Sequence, residues 1–530
     1  MDGTGPKIVD SLRPKIMESI PPTSVIAAEE VPGSPILKEA KADPCAVVIF
    51  GITGDLSKRK LVPALYNLMA DGALPDKIAV VGLTRAGVAH DEMRERFRES
   101  TEQLGRRKAI DPDIWARFAA NLEFVDGKLD DDKAYADLRE RLAVIDREKG
   151  THGNRIYYLA TPPETFPAIL EHLKKAELLY PPTEDNKKKP WSRVVIEKPF
   201  GRDLASAKAL NKLVAESLDE SQTFRIDHYL GKETVQNILV FRYANALFEP
   251  VWDRKHIDHV EITAAESLGV EKRGKFYDET GVVRDIVQNH LLQVLALVAM
   301  EPPVSFRAND VRDEKVQVLR SLRPITGSDM KKNVVRAQYA GYRGEDGVSA
   351  DSRTPTYTAM KVLIDNWRWQ DVPFYLRAGK KLAHQVTEVS IHFQPVPLYL
   401  FKQSKARQIV EPNVLTLRIQ PQESISLRFV TKVPGEHLSV GNVLMNMSYA
   451  DTFGKALSEA YERLLLDCMR GDATLFARRD EVEEAWRFVT PILEHWDKDP
   501  TPMPSYEPGT HGPKEADALL AADGRCFTKL

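Results

Sequence analysis

Two hydrophobic patterns divide the chain. In the first, short uninterrupted apolar runs recur: AVVIF (Ala46 to Phe50), IAVVGLTR (Ile78 to Arg85), RIYYLATPP (Arg155 to Pro163) and RVVIEKPFG (Arg193 to Gly201). Such runs suit strands buried on both faces of a parallel sheet. Between them lie helical patterns, beginning with the stripe Leu61, Leu65 and Leu68 and continuing over roughly residues 90 to 148. In the second pattern, apolar and polar residues alternate. HVEITAAESLGV (His259 to Val270), TAMKVLID (Thr358 to Asp365), EVSIHFQP (Glu388 to Pro395), VLTLRIQP (Val414 to Pro421) and SISLRFV (Ser424 to Val430) all show it. That period predicts a large, mainly antiparallel sheet. The fold class is therefore α/β followed by α+β, with domains expected over residues 44–224 and 225–530. Helices are expected again near residues 455 to 495. One helical stretch, Glu279 to Met300, is polar at first and apolar all round from Val294. A helix with that gradient buries one end and aims the other at something polar. Residues 1–43 are proline-rich, lack periodicity and predict a disordered extension.

Composition narrows the function classes. With 530 residues, two domains are the natural division. A formal net charge of −3 gives no electrostatic case for nucleic acid or an anionic membrane, so any phosphate site must be local. Three cysteines, Cys45, Cys468 and Cys526, are odd in number and propose no disulfide framework, which points to a reducing, cytoplasmic setting. No Cys/His spacing predicts a zinc site. The apolar run Val294 to Met300 is too short to span a bilayer, and the N-terminus has no signal-peptide core.

Candidate chemistry sits where strands end. Strand, glycine turn and helix in GITGDLSKRKLVPALYNL (Gly51 to Leu68) form the layout of a Rossmann-like dinucleotide-binding start. The string has Gly51 and Gly54, with Ser57 where a third small residue would sit, and is not G-x-G-x-x-G. Such a pair by itself marks an ordinary tight turn more often than a cofactor site. Arg85 ends the second strand, where NAD-selective folds place a carboxylate; an arginine suits a 2′-phosphate, and a solvated strand end is the other reading. Lys198 ends a further strand, at the edge where ligands of open sheets gather. RIDHYLGKE (Arg225 to Glu233) passes from strand to helix and crowds Asp227, His228, Tyr229 and Lys232 at a helix start, whose free N–H groups favour a phosphate. Without further context a solvated capping turn is the favoured reading. His290 is a lone helical histidine, a type more often structural than catalytic.

RIDHYLGKE, the string G-x-x-G-D-L with K-R-K-L and P-A-L after it, QNHLLQ around His290, and YEPGTHGPKEADALLAADGR near the end together resemble the glucose-6-phosphate dehydrogenase family. The resemblance runs from about Ala46 to the C-terminus. It implies NADP-dependent oxidation of D-glucose 6-phosphate to 6-phospho-D-glucono-1,5-lactone, the first step of the oxidative pentose phosphate pathway, in a homodimer or homotetramer. By the same resemblance His290 is the general base and Asp227 its orienting partner. His228, Tyr229 and Lys232 hold the 6-phosphate, and Lys198, Glu266, Asp285 and Lys380 bind sugar hydroxyls. Gly51, Gly54, Asp55, Leu56 and Arg85 lie along the dinucleotide, with Tyr158 and Lys198 beside the nicotinamide. No metal is required, because the cofactor accepts the hydride.

Two departures and two rival readings follow. Gln385 stands where the family usually carries a basic residue directed at the phosphate, with His384 as the available substitute. Arg377 and Arg418 match a second, structural NADP site found in many animal members, but Val386 and Ser390 stand where its cations belong, so that site is not expected. The triplet Glu197-Lys198-Pro199 is shared with Gfo/Idh/MocA-type oxidoreductases, which makes a dehydrogenase of unphosphorylated sugars the alternative. His228 and Lys232 argue against it, since a neutral sugar has no use for that charge. A non-catalytic dinucleotide-binding protein is opposed by the presence of both Asp227 and His290.

Overall fold

The computed structural model describes residues 41–85, 87, 89–182, 190–397, 411–436, 440–454 and 458–529. The expected N-terminal extension falls outside them except for residues 41–43. The first sheet contains β1 (Cys45–Phe50), β2 (Ile78–Thr84), β3 (Leu122–Asp126), β4 (Arg155–Leu159), β5 (Ser192–Ile196) and β6 (Thr223–Ile226). Their order across the sheet is 6-5-4-1-2-3, all parallel. That is the doubly wound order of dinucleotide-binding folds, with its switch point between β1 and β4.

Alternate residues of β1 enter two separate cores. Val48 and Phe50 pack with Leu138, Leu142, Ile169 and Leu173 on one face. Val47 and Ile49 pack with Leu61, Leu65, Leu464 and Leu465 on the other. Helices on both faces explain why these strands carry no polar alternation. One of those helices, Ala460–Arg470, comes from late in the chain.

The second sheet comprises β7 (Ile257–Ala265), β8 (Val334–Tyr339), β9 (Tyr357–Val362), β10 (Phe374–Gly379), β11 (Val386–Phe393), β12 (Val414–Gln420), β13 (Ser424–Lys432) and β14 (Val440–Ser448). The short β15 (Phe476–Ala477) returns to the first sheet, antiparallel to β6, and β16 (Ser505–Tyr506) edges the second beside β8. The second sheet runs 14-13-12-11-7-10-9-8-16 and is antiparallel except at β7–β10 and β8–β16. All the alternating segments predicted as strands belong to it.

The helical run Glu271–Ala299 lies against this sheet. It is long and apolar enough in composition to cross a membrane, yet 89% of its apolar window is buried inside the fold, so it is a core helix. It is not one straight α-helix. Gly281, at φ 66° and ψ 170°, breaks Gly274–Val282 from the next segment, and Val283–Leu291 is wound as a π-helix before α-helical geometry resumes at Leu292.

Candidate active site

The carboxyl ends of the first sheet's strands converge on His290. Asp227 follows β6, and its Oδ1 lies 2.5 Å from His290 Nδ1. Lys198 follows β5, and its Nζ lies 3.0 Å from His290 Nε2. A carboxylate can only accept and an ammonium can only donate, so Nδ1 carries the proton and Nε2 presents its lone pair. Lys198 Nζ also donates to the Asp285 carbonyl oxygen at 3.0 Å and to its Oδ1 at 3.2 Å.

The π-helical winding explains how one lysine reaches both partners. Residues five apart on an α-helix point about 140° away from each other. In a π-helix, where hydrogen bonds join residues five apart, they lie one above the other. Asp285 and His290 are so spaced, and both face Lys198.

Electrostatics at this centre are set by burial and pairing. Burial pushes the Asp227 carboxyl up, but the charge and hydrogen bond of His290 overcome it and hold it well below the carboxylate range. Burial lowers His290, and Asp227 only partly restores it, so the ring stays neutral further into acid than a free histidine. Asp285 is raised by burial yet brought down to about 2 by Lys198 and then Lys380.

The remaining candidates surround this core. The Tyr229 ring stacks on His290 at 4.1 Å, and its hydroxyl lies 3.3 Å from Thr387 Oγ1. The His228 ring meets His290 edge-on at 4.5 Å. Lys232 lies over the Tyr229 ring at 4.6 Å and donates to Gln420 Oε1, whose amide in turn donates to Thr387 Oγ1 at 3.0 Å. Lys380 pairs with Glu266 and lies 5.0 Å from the Tyr277 ring centre. A cleft of about 1090 Å³ opens beside His228 and Lys232, with Lys60, Gln420 and Tyr461 also on its walls. Sequence reasoning did not find Thr387, Gln420 or Tyr461. All three reach the centre from distant segments, and only the terminal Gln-Pro of VLTLRIQP marks Gln420 as a strand end.

A second cleft, of about 770 Å³, lies over β1, β2 and β4 and is lined by Gly51, Gly54, Arg85, Thr161 and Thr165. Gly51 has φ 84°, and a Cβ there would sit 2.6 Å from the Ala160 carbonyl oxygen. The backbone thus approaches as closely as a dinucleotide cradle requires. Arg85 is exposed at the rim. Three residues expected along the dinucleotide do not line this cleft. Asp55 is turned to Arg59 at 2.7 Å and lies outside this lining. Leu56 packs against the hydrophobic core instead. Tyr158 is fully buried and donates a hydrogen bond from its hydroxyl to Glu197 Oε1 at 2.5 Å, so its side chain offers no surface to a cofactor. Burial pushes Glu197 up to about 7, with Tyr158 and Lys198 opposing.

At the departures noted in the sequence, His384 and Gln385 are both exposed, and neither lines the 1090 Å³ cleft. Arg377 is buried, donates to Thr263 Oγ1 and the Thr528 carbonyl oxygen, and is covered by the Phe527 ring at 4.2 Å. Arg418 pairs with Glu388 at 3.1 Å.

With this geometry in place, comparison with known proteins is decisive. Residues 48–237 match the family model "Glucose-6-phosphate dehydrogenase, NAD binding domain", and residues 239–528 match "Glucose-6-phosphate dehydrogenase, C-terminal domain". The chain belongs to the glucose-6-phosphate dehydrogenase family. It is 45% identical over 499 residues to glucose-6-phosphate 1-dehydrogenase of Chlamydia pneumoniae, covering 92% of this chain and 96% of that one. The crystal structure of glucose-6-phosphate 1-dehydrogenase from Mycobacterium avium is 40% identical, with a TM-score of 0.78 over 92% of this chain and 99% of that one. A glucose-6-phosphate dehydrogenase solved in complex with its substrate is 34% identical, with a TM-score of 0.84 over 93% of this chain and all of that one. Family membership sets aside the Gfo/Idh/MocA-type alternative.

Proposed function

We propose that this glucose-6-phosphate dehydrogenase family member oxidises D-glucose 6-phosphate at C1 to 6-phospho-D-glucono-1,5-lactone, with NADP⁺ as hydride acceptor. The observation that carries the reading is His290, held at Nδ1 by a buried carboxylate with the Nε2 lone pair turned to the Lys198 ammonium. A C1 hydroxyl that replaces Lys198 at Nε2 passes its proton to the ring. Asp227 fixes the tautomer and stabilises the imidazolium as it forms. Lys198, released from Nε2, stays tethered to Asp285 and is free to orient the sugar. Lys380 and Glu266 supply a further donor and acceptor for its hydroxyls. His228 and Lys232 anchor the 6-phosphate at the mouth of the large cleft, and Tyr229 acts as a shelf beneath His290.

Gly51, Gly54 and Arg85 would hold the dinucleotide, with Arg85 at the 2′-phosphate. NADP⁺ bound there supplies the acceptor for the C1 hydride. The domain division at residues 224 and 225 assigns the cofactor to the first part, and substrate binding and self-association to the second. The reaction is the entry step of the oxidative pentose phosphate pathway, and a cytoplasmic homodimer or homotetramer is the form proposed for it. The deciding assay follows absorbance of the reduced nicotinamide with glucose 6-phosphate or glucose, and with NADP⁺ or NAD⁺. Turnover with glucose equal to that with glucose 6-phosphate would overturn the substrate; equal efficiency with NAD⁺ would overturn the cofactor preference.

A further inference from the structure

Far along the second sheet from His290's partners, a second set of titratable side chains has no part in the chemistry above. His259 and Glu261 of β7 face His392 of β11. Glu261 Oε1 lies 3.4 Å from His259 Nε2 and 3.2 Å from His392 Nε2. The ligand atoms of all three residues fall within 4.8 Å of one another. His259 is 6% exposed, and its Nε2 makes no hydrogen bond among the described residues. A buried ring nitrogen 3.4 Å from a carboxylate oxygen, outside hydrogen-bond geometry, is poorly satisfied by that contact alone and can share a cation with it.

We propose that His259, Glu261 and His392 form a binding site for a divalent transition metal of the Zn²⁺ type. Nitrogen and oxygen donors about 2.0–2.1 Å from a tetrahedral Zn²⁺ lie about 3.3–3.4 Å apart; Glu261 Oε1 is 3.4 Å from one nitrogen and 3.2 Å from the other. The outer groups are arranged as such sites need them. His259 Nδ1 is bonded to Asp258 Oδ2 at 2.7 Å, leaving Nε2 as the ligand atom. Asp258 is itself held by Arg525 at 2.8 Å. The Thr528 N–H donates to Glu261 Oε2 at 2.9 Å and, at a longer 3.2 Å, to Oε1, so the carboxylate is held from the far side while Oε1 faces both imidazoles. Thr528 Oγ1 lies 3.3 Å from His392 Nε2, a weak contact that an ion would displace. The two rings now stack at 4.0 Å and 15°. Closing on an ion requires the less buried His392 ring to turn so that both lone pairs converge. Because Arg525 and Thr528 belong to the C-terminal segment, the ion would clasp that segment to the sheet.

The test uses the full chain carrying Cys526→Ser, which removes the exposed thiol as a zinc ligand. After chelator treatment, the protein is incubated with Zn²⁺, desalted and assayed for metal content. A parallel sample receives Co²⁺ for its visible absorption. The expected result is about one Zn²⁺ per chain, a tetrahedral Co²⁺ spectrum and a Tm raised by a few degrees. His392→Ala should lose all three while keeping its dehydrogenase rate; His392→Asn, closer in size, serves if the alanine variant misfolds. No retained metal, equal retention in the His392 variants, or loss of metal in His290→Asn instead would each overturn the site.

Discussion

His290 lies between a carboxylate and an ammonium, and that placement makes its role testable one residue at a time. His290→Asn keeps a polar side chain but cannot take the proton. Losing a general base typically costs ~10²–10⁴-fold in rate, and kcat should fall with KM for glucose 6-phosphate nearly unchanged. Since burial lowers the His290 pKa, the wild-type rate should fall only below about pH 6.5, and the variant should lose this acid limb. Asp227→Asn should act in the same direction. The double variant should be little worse than His290→Asn, because the pair works as one unit; near-wild-type kcat in His290→Asn would sink the mechanism. Lys232 supplies a second test. Burial brings its pKa down to about 8, with Glu423 and Asp227 opposing and Lys60 assisting. Its charge is present below that pH and lost above it. KM for glucose 6-phosphate should therefore rise up to about tenfold per unit above pH 8, an effect absent from Lys232→Ala, whose KM is high throughout. A wild-type KM that stays flat across this range would remove Lys232 as the phosphate anchor.

At the scale of elements, the site depends on where strands stop and how one helix is wound. The strand ends carrying Gly51, Arg85, Lys198 and Asp227 were legible, because buried β-branched runs break off sharply at polar residues. Arg85→Ala removes a charge-assisted contact of about 1.5–3 kcal/mol. KM for NADP⁺ should rise at least tenfold while KM for NAD⁺ hardly moves; equal losses would reduce Arg85 to a solvated strand end. The winding of Val283–Leu291 was not legible. An apolar stripe with a polar half reports helix against loop, but it cannot tell a π-turn from an α-turn. Yet that turn brings Asp285 and His290 together on Lys198. Gly281 fixes where the turn begins. Its φ of 66° and ψ of 170° are nearly closed to other residues, and a Cβ would meet Thr354 Cγ2 at 3.0 Å. Strain there costs about 1–3 kcal/mol. Gly281→Ala should lower Tm by several degrees and reduce kcat more than it changes cofactor affinity. An unaffected kcat would separate the break from the aim of His290.

Across the whole molecule, what escaped the sequence is what distant segments contribute. Tyr158 reads as a cofactor contact until its strand is seen buried with Glu197 against its hydroxyl. Thr387 and Gln420 come from the second sheet, and Tyr461 from a helix that packs on the first. No local period reports such pairings. The same scale holds an apolar sheet face without a partner among the described residues. On β13 and β14, Leu427 pairs with Met445 and Phe429 with Val443, placing all four on one face; Val443 is 37% and Met445 51% exposed. The opposite face, with Ser426, Leu444 and Asn446, lines the 1090 Å³ cleft. β14 is also the edge of its sheet. An apolar face on an exposed edge is a liability unless something covers it, and the proposed homodimer or homotetramer supplies a second copy to do so. Fully burying a valine or methionine gains about 1.5–3 kcal/mol, and a carboxylate in its place reverses the sign. Val443→Glu with Met445→Glu should shift the mass in light scattering to that of a single chain at micromolar concentration, with the fold intact by circular dichroism. The face points away from the cleft that opens beside His228, so turnover per chain should fall far less than in His290→Asn. A wild-type protein already monomeric, or a double variant of unchanged mass, would move self-association to another surface.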